Sequence, residues 1–276
     1  MPQLSKVGSE MLDGALPAID GSSLTGVGVD GVTSSANATA ITIDSDEKVG
    51  IGIASPGSYE ANSSHLVVGG TGHSGMTIVG GTAHTSRMNF ADGTSGDTEY
   101  RGYVRYRHNN DDLTLGTAGV DQVIVDSNGI VTMPKQPCFL ASNNGVQANV
   151  TGNGATHTIN WGTETFDLNA DFDGTTFTAP VAGRYLISAS LHFQQLTAAA
   201  DQVQLGIVTS NKAFTSVIYH QNGWGSEPES HKTVLCDMDA ADTFTITCRI
   251  SGESSDIVDV TAGANGYTYV SCALIA

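Results

Sequence analysis

Apolar and polar residues alternate along most of the chain after residue 40, in short runs separated by Gly, Asn, Asp and Ser. The clearest run is GRYLISASLHF (183–193), and QVQLGIV (202–208) and YTYVSCALIA (267–276) share its period of two. In the first run the apolar face consists of Tyr185, Ile187, Ala189, Leu191 and Phe193. Side chains alternate between faces in a strand, whereas a helix needs a period near 3.6. The pattern predicts an all-β protein.

Regular spacing of such strands over residues 135–276 predicts a β-sandwich in the C-terminal half. Within it, VLCDMDAADTFTITCRI (234–250) has the pattern of a hairpin whose turn lies near Asp239–Asp242. Trp161 lies near the start of this half and is predicted to belong to its core.

Residues 40–134 contain an internal repeat. ITIDSDEKV (41–49) matches VIVDSNGIV (123–131) at an offset of 82 residues. Each copy has an alternating strand, an Asp-Ser-Asx turn and a second strand, which is typical of a hairpin because Asp and Asn tolerate turn geometry. The strands carry few large apolar residues, so one chain cannot close a core here. We therefore expect a β-rich shaft in which several copies of the chain intertwine.

Residues 1–39 are small and polar and offer no apolar face. They form either a flexible tail or an extended segment that becomes ordered against a partner. The first residues, MPQLSKVGSEMLDG, lack the apolar centre of a secretory signal, and no stretch approaches the length of a membrane span. We expect no membrane insertion.

Composition and charge narrow the choice of partner. Charged residues make up only 14% of the chain, so the rest of its surface must be Ser, Thr, Asn and Gly, which as a set suit strands and tight turns better than helices. The net charge of −17 comes from 11 basic and 28 acidic residues. This balance argues against binding to nucleic acid or to an anionic membrane surface.

Four cysteines show no paired spacing. Cys236, Cys248 and Cys272 each share strand parity with apolar neighbours, which predicts that they pack as small core side chains. A disulfide between two of the cysteines is the alternative.

Two resemblances extend this picture. FTAPVAGRYLISASL (177–191), with its Phe177, Ala179, Pro180, Gly183 and Tyr185, resembles the C1q/tumour-necrosis-factor jelly-roll family, as do FDLNADFDGTTF (166–177) and YVSCALIA (269–276). The resemblance covers about 140 residues, 135–276. It implies a jelly-roll sandwich that packs as a compact homotrimer.

The first half resembles bacteriophage tail-fibre shafts, through LPAIDGSSLTGVG (16–28), VGIGIASP (49–56) and HNNDDLTLGTAGVDQVIVDSNGIV (108–131). In that family the N-terminal segment attaches to the particle and the C-terminal domain contacts the host. The resemblance implies an attachment segment (1–39), a shaft (40–134) and a C1q-like head (135–276).

Together the resemblances imply a homotrimeric virion fibre. It would be assembled in the host cytoplasm, mounted on a phage tail or capsid component, exposed outside the cell, and able to bind a host-surface glycan or protein. The alternative is a capsid fibre or decoration protein with a purely structural role.

The best candidate for receptor contact is the segment IYHQNGWGSEPESH (218–231), which lies between two predicted strands. Loops on a rigid scaffold often bind partners, and aromatic rings with polar neighbours suit sugars and peptides. The candidate residues are Tyr219, His220, Asn222, Trp224 and Glu227. Alternatively, Trp224 covers the end of the sandwich or packs between copies.

Sites for metals or catalysis are not indicated by any complete motif. NADFDG (169–174) begins like a calcium loop, but the position where an EF-hand has its last Glu is Pro180, so a plain turn is favoured and calcium near Asp171 and Asp173 stays open. GHSGM (72–76) fails the GxSxG pattern at Met76. We predict no catalytic residue, no cofactor and no metal.

Three arginines, Arg101, Arg105 and Arg107, share one strand face. They could hold a sulfated or phosphorylated glycan. Ion pairs with neighbouring acids are the favoured alternative. The neighbouring acidic residues are Asp97, Glu99, Asp111 and Asp112.

Overall fold

The computed structural model describes residues 40–219, 225–263 and 266–276, and the chain in these ranges is built from strands and three short 3-10 helices. The predicted all-β class is confirmed. The chain divides into two compact units, residues 1–78 and 79–276. No helix in the described ranges is long and apolar enough to cross a lipid bilayer. The predicted attachment segment, 1–39, lies outside the described residues, and the boundary between shaft and head at 134/135 stays a prediction.

The described part of the first unit contains a three-stranded sheet. Its strands are β1 (Ile41–Ile43), β2 (Val49–Ile51) and β3 (Leu66–Val68). β1 and β2 are antiparallel, whereas β3 runs parallel to β2. Two 3-10 helices, Pro56–Ser58 and Ala61–Ser63, lie between β2 and β3. Ile41, Ile43 and Leu66 are each more than half exposed, so this sheet leaves apolar side chains uncovered in the single chain.

The second unit begins with a five-stranded antiparallel sheet in chain order. The strands are β4 (Thr85–Phe90), β5 (Gly102–Arg107), β6 (Asp112–Thr117), β7 (Val120–Val125) and β8 (Val131–Thr132), with a 3-10 helix at Gly96–Tyr100 between β4 and β5. A bulge interrupts the pairing of β6 with β7 after Leu115.

The sequence repeat forms two turns with the same hydrogen bonds. Asp44 Oδ1 accepts bonds from the backbone N–H groups of Asp46 (2.9 Å) and Lys48 (3.0 Å). Asp126 Oδ1 accepts the equivalent pair from Asn128 and Ile130, both at 2.9 Å. These donors hold the pKa of each carboxyl below its usual value. The predicted hairpins are confirmed, one joining β1 to β2 and the other joining β7 to β8.

The C-terminal part of the second unit consists of two antiparallel sheets packed face to face. Seven strands form the first sheet: β9 (Cys138–Ser142), β10 (Gln147–Thr151), β12 (Thr163–Asp167), β14 (Gly183–Gln194), β17 (Glu229–Met238), β19 (Val258–Val260) and β20 (Tyr269–Leu274). Five strands form the second sheet: β11 (Thr156–Thr158), β13 (Thr176–Thr178), β15 (Gln202–Thr209), β16 (Ala213–Tyr219) and β18 (Thr243–Ser251).

The chain crosses repeatedly between the two sheets, which is the jelly-roll arrangement. One consequence corrects a sequence-based prediction. β17 pairs with β14, and β18 pairs with β15, so residues 234–250 are not a hairpin. The turn at Asp239–Asp242 instead carries the chain from one sheet to the other. Both strands alternate because each buries one face in the same core.

The core lies between the sheets and follows the predicted alternation. The five apolar side chains on the predicted inward face of β14 are completely buried, and Trp161 is buried as predicted. Phe139 stacks on Phe172 with ring centroids 4.3 Å apart, and Phe177 and Phe244 extend this aromatic cluster. Such stacking adds to the hydrophobic gain from burial.

The residues of the C1q-like motif each have a structural role. Phe177 and Ala179 are buried, and the Tyr185 hydroxyl donates a 2.8 Å bond to the carbonyl of Val181. A Cβ atom on Gly183 would lie 2.6 Å from Leu274 Cδ1 and 2.7 Å from the Ala276 carbonyl oxygen. The motif therefore fixes the entry into β14 against the last strand.

All four cysteines are free thiols. Cys236, Cys248 and Cys272 are buried in the core, as their parity predicts. Burial raises the pKa of the Cys248 thiol to about 12 and also raises the pKa of Cys272. These side chains are packing residues with little thiolate character.

Candidate functional site

A cleft of about 440 Å³ lies at one end of the sandwich. Strand ends and connections that are distant in sequence form its walls. The lining residues are Val146, His192, Gln194, Glu227, Thr261, Ala262 and Tyr267. His192 and Gln194 are the last outward-facing positions of β14, and Thr261 directly follows β19. Such a meeting of strand ends is a common place for a ligand site.

Hydrogen bonds fix one wall of this cleft. His192 Nδ1 lies 3.2 Å from Thr261 Oγ1, which in turn lies 3.3 Å from Thr268 Oγ1. The backbone N–H of His192 donates to Thr268 Oγ1 at 3.3 Å, and the Asn143 amide donates to the Thr261 carbonyl at 3.0 Å. Thr261, Thr268 and Asn143 are buried. The imidazole is therefore held in one orientation by groups that solvent does not reach.

Beside the imidazole, the cleft has an exposed aromatic residue. The Tyr267 ring is 47% exposed and lies 5.3 Å from the His192 ring, tilted by 30°. Glu227 is exposed in the connection that leads into β17. An aromatic face, a carboxylate, an amide and an imidazole thus surround one space.

Two of the five predicted receptor residues lie in the described structure. Glu227 lines the cleft, whereas Tyr219 ends β16 and is 68% exposed outside the cleft lining. His220, Asn222 and Trp224 lie outside the described residues. Sequence reasoning missed His192, Gln194, Thr261 and Tyr267. A signal for His192 and Gln194 was available, because the outward-facing positions at the end of β14 are polar.

The outer face of the seven-stranded sheet carries an apolar groove of about 330 Å³. Leu186 on β14 lines one side of it and pairs with Ala273 on β20 and, in the other direction, with Leu235 on β17. Phe166 and Leu140 form the next paired position. Leu186, Leu235 and Phe166 are 41%, 56% and 42% exposed, so large apolar side chains remain open to solvent on this face.

The five-stranded sheet β4–β8, which precedes the sandwich, has its apolar residues on the exposed face. On β6 the buried positions are Asp112, Thr114 and Gly116, whereas Leu113 and Leu115 are exposed. The pairing registers extend this exposed face across the sheet. Its rows are Ser86–Tyr106–Leu113–Val125–Val131, Met88–Val104–Leu115–Val123 and Phe90–Gly102–Thr117–Val120. No row contains a charged residue. We call these thirteen positions the apolar face.

The opposite face of the same sheet contains the charged network. Arg105 Nη2 lies 2.8 Å from both oxygens of Asp121, which also accepts a short bond from the Tyr103 hydroxyl. Arg107 Nε lies 2.6 Å from Asp112 Oδ1, and this bond holds the pKa of Asp112 below its usual value.

The three arginines are therefore paired. Arg101, the third arginine, forms an ion pair with Asp97 at 3.0 Å. The ion-pair interpretation is confirmed, but Arg101 directly precedes β5 and does not share its strand face, and Asp121, the main partner of Arg105, was not among the predicted acids.

The sequence NADFDG forms a turn stabilised by its own side chains. Asp173 Oδ1 accepts bonds from the backbone N–H groups of Thr175 (2.9 Å) and Thr176 (2.7 Å). Asp171 Oδ2 is buried without a hydrogen-bond partner, and burial together with Asp167 raises the pKa of this carboxyl. Within the described ranges, no three His, Cys, Asp or Glu side chains cluster in a way that could hold a metal ion. The plain turn remains the favoured interpretation.

No family model and no curated protein matches the sequence. Solved structures that resemble the chain include the globular domain of zebrafish complement 1qA protein, with 12% identity and a TM-score of 0.37 over 51% of this chain and 98% of that chain. Murine APRIL at pH 5.0 has 7% identity and a TM-score of 0.38 over 51% of this chain and 100% of that chain. Murine APRIL at pH 8.5 has 10% identity and a TM-score of 0.36 over the same shares. At these levels of similarity, no property of those proteins is transferred to this chain.

Proposed function

We propose that the chain is a homotrimeric virion fibre, a tail fibre, that attaches to the particle by its N-terminal region. In this proposal the C-terminal sandwich binds a receptor on the host-cell surface, and the fibre is exposed outside the cell after assembly in the host cytoplasm. The observation that carries the self-association is the apolar face of the five-stranded sheet.

That face is unsuited to water. An antiparallel sheet that has one solvated side normally points its polar residues to solvent and its apolar residues inward. Here β6 does the reverse, with Leu113 and Leu115 exposed and Asp112 buried. Large uncharged apolar patches on soluble proteins usually mark an interaction surface.

A second copy of the chain is the occupant that the charge distribution supports. The net charge of −17 makes most of the surface of one copy repel that of another. The apolar face has no charge, so it can pack against the same face of a second copy without burying an unpaired ion. Cyclic symmetry lets each copy offer the same surface, and three such faces can enclose one shared core. The number three rests on the resemblance of the head to the C1q/tumour-necrosis-factor family.

The groove around Leu186 supports association of the heads as well. Leu186, Leu235 and Phe166 are large, exposed and uncharged on the outer face of the seven-stranded sheet. Receptor binding by the head is supported by the cleft at the sandwich end, where Glu227 and Tyr267 are accessible.

Light scattering of the purified full chain tests the assembly. We expect a mass of about 85 kDa at micromolar concentration, three times the chain mass of 28.5 kDa. A monomer under these conditions would contradict the proposal.

Receptor binding needs a separate measurement. A fluorescently labelled trimer should adsorb to some bacterial strains of a panel and not to others. A trimer that adsorbs to none, and that antibody labelling locates on the capsid, would favour the decoration-protein alternative.

A further inference from the structure

The geometry of the cleft at the sandwich end points to a site for a neutral sugar. The site would take one or two pyranose rings that carry no carboxylate or sulfate. This inference rests on the proposed receptor-binding role for its biological purpose, and it names the chemical class of the receptor.

Tyr267 supplies the surface on which a sugar ring stacks. About half of its side chain is exposed, and the His192 ring lies beside it at 5.3 Å. The C–H groups on one side of a pyranose form an apolar face, and aromatic rings in binding sites offer a large contact area with few rotatable bonds.

The polar groups that line the cleft suit hydroxyls. Glu227 has a carboxylate that accepts two or more bonds, Gln194 has an amide that both donates and accepts, and His192 has a second ring nitrogen besides the one near Thr261. Neither Glu227 nor Gln194 makes a side-chain hydrogen bond to another described residue. Adjacent hydroxyls on a sugar present paired donors and acceptors, which planar side chains can meet two at a time.

The wall behind these groups is rigid. The bonds that join His192, Thr261, Thr268 and Asn143 are formed without any ligand, and the last three of these residues are buried. A ligand that docks here therefore orders few protein groups, which limits the entropic cost of binding.

The charge of the cleft selects against acidic sugars. Among the described residues that line the cleft there is no Lys or Arg, and Glu227 is one of the acidic residues behind the net charge of −17. A sialic acid or sulfate group would meet this field without a cationic partner. The volume of about 440 Å³ lies near the lower end of the range for small-molecule sites, about 300–1,000 Å³.

Binding of defined sugars to the full-length protein tests the inference. Saturation-transfer NMR and calorimetry would compare four neutral sugars (methyl galactoside, methyl mannoside, N-acetylglucosamine and lactose) with 3′-sialyllactose. We expect at least one neutral sugar to bind. We also expect 3′-sialyllactose to bind no better than lactose.

Three variants locate the binding. Tyr267→Ala should weaken it by about tenfold or more, since it removes the stacking surface. Glu227→Gln keeps the size of the side chain but removes an acceptor and should weaken binding by several-fold. Tyr59→Ala is the matched control, because Tyr59 is 52% exposed and lies in the other unit of the chain. Melting temperatures would verify that each variant is folded.

The outcomes separate this inference from the proposed function. Neutral-sugar binding that is lost in Tyr267→Ala and kept in Tyr59→Ala supports the site. Binding that survives both Tyr267→Ala and Glu227→Gln, or a preference for 3′-sialyllactose, overturns it. A trimer that adsorbs to host cells but binds none of the neutral sugars also overturns it while the receptor role stands. Conversely, sugar binding without adsorption contradicts the receptor role and leaves the site intact.

Discussion

A single charge on the apolar face should dissociate the assembly, and Met88 is the position where this can be measured most cleanly. Met88 lies on β4, the edge strand of the five-stranded sheet, and is 44% exposed in the single chain. It pairs with Val104, which pairs with Leu115, so these three side chains belong to one apolar row. The Met88→Asp substitution would put a carboxylate at the end of this row.

The expected effect can be worked out from the exposed fraction. Burying a whole Met, Leu or Val side chain contributes about 1.5–3 kcal/mol. Covering the remaining 44% of Met88 therefore contributes about 1 kcal/mol per copy, or about 3 kcal/mol for three copies. Met88→Ala should weaken association by roughly a hundredfold. Met88→Asp should abolish it, since an unpaired buried carboxylate costs several kcal/mol more in each copy.

The neighbouring residue provides the control. Asn89 lies next in β4, is exposed, and pairs with Tyr103 on the charged face of the sheet. Asn89→Asp adds the same charge to the same strand but points it away from the apolar face. Light scattering over a range of concentrations should give a monomer for Met88→Asp and the native mass for Asn89→Asp, while circular dichroism shows that both remain folded. Equal behaviour of the two variants would refute the assignment of this face to self-association.

Four further substitutions test the fold. Glu47 has a positive φ of 62° at the position where the other copy of the repeat has Gly129 (φ 80°). Glu47→Gly should therefore protect its hairpin from hydrogen exchange, and Gly129→Glu should lower the stability of its hairpin by about 1–2 kcal/mol. Less protection in the first variant or greater stability in the second would contradict the equivalence of the two turns. Gly183→Ala should destabilise the sandwich by about 1–3 kcal/mol in urea unfolding, because its Cβ would overlap Leu274; an unchanged midpoint would show that the end of the chain simply shifts. The raised pKa of Asp171 means that the folded state disfavours its charged form, so stability is present at acid pH and is lost as the pH rises through the folded-state pKa. Asp171→Asn should therefore raise the melting temperature at pH 7 but not at pH 3. A large increase in the melting temperature of the unsubstituted chain on addition of calcium would instead indicate an ion bound at this turn.

Local patterns in the sequence were sufficient to predict the strands and the repeated turns. A strand alternates with a period of two wherever one face is buried, so the core positions of β14 follow directly from residues 183–193. The turns at Asp44 and Asp126 are likewise local, because the aspartate bonds backbone groups within four residues of itself. Both the strands and the turns depend on residues that are close together in the sequence.

Strand partners were harder to predict because they depend on distant residues. The strands at 229–238 and 243–251 are joined by a short turn, and the sequence looks the same whether they pair or separate into two sheets. The separation follows from β14 and β15, which provide the partners. Similarly, Arg105 is 16 residues from Asp121 in sequence, and only the pairing of β5, β6 and β7 brings them together.

The outward-facing positions of β14 bring together the two surfaces proposed for the head. They are Arg184, Leu186, Ser188, Ser190, His192 and Gln194, and from Leu186 onwards they change from apolar to polar. Leu186 lies in the groove proposed for association, and His192 lies in the cleft proposed for a sugar. Six residues of extended chain separate these two positions by about 20 Å. A copy packed on the Leu186 end can therefore leave the His192 end open to a ligand. One face of a single sheet can therefore serve both functions, because the outward-facing residues of β14 are apolar at Leu186 and polar at His192.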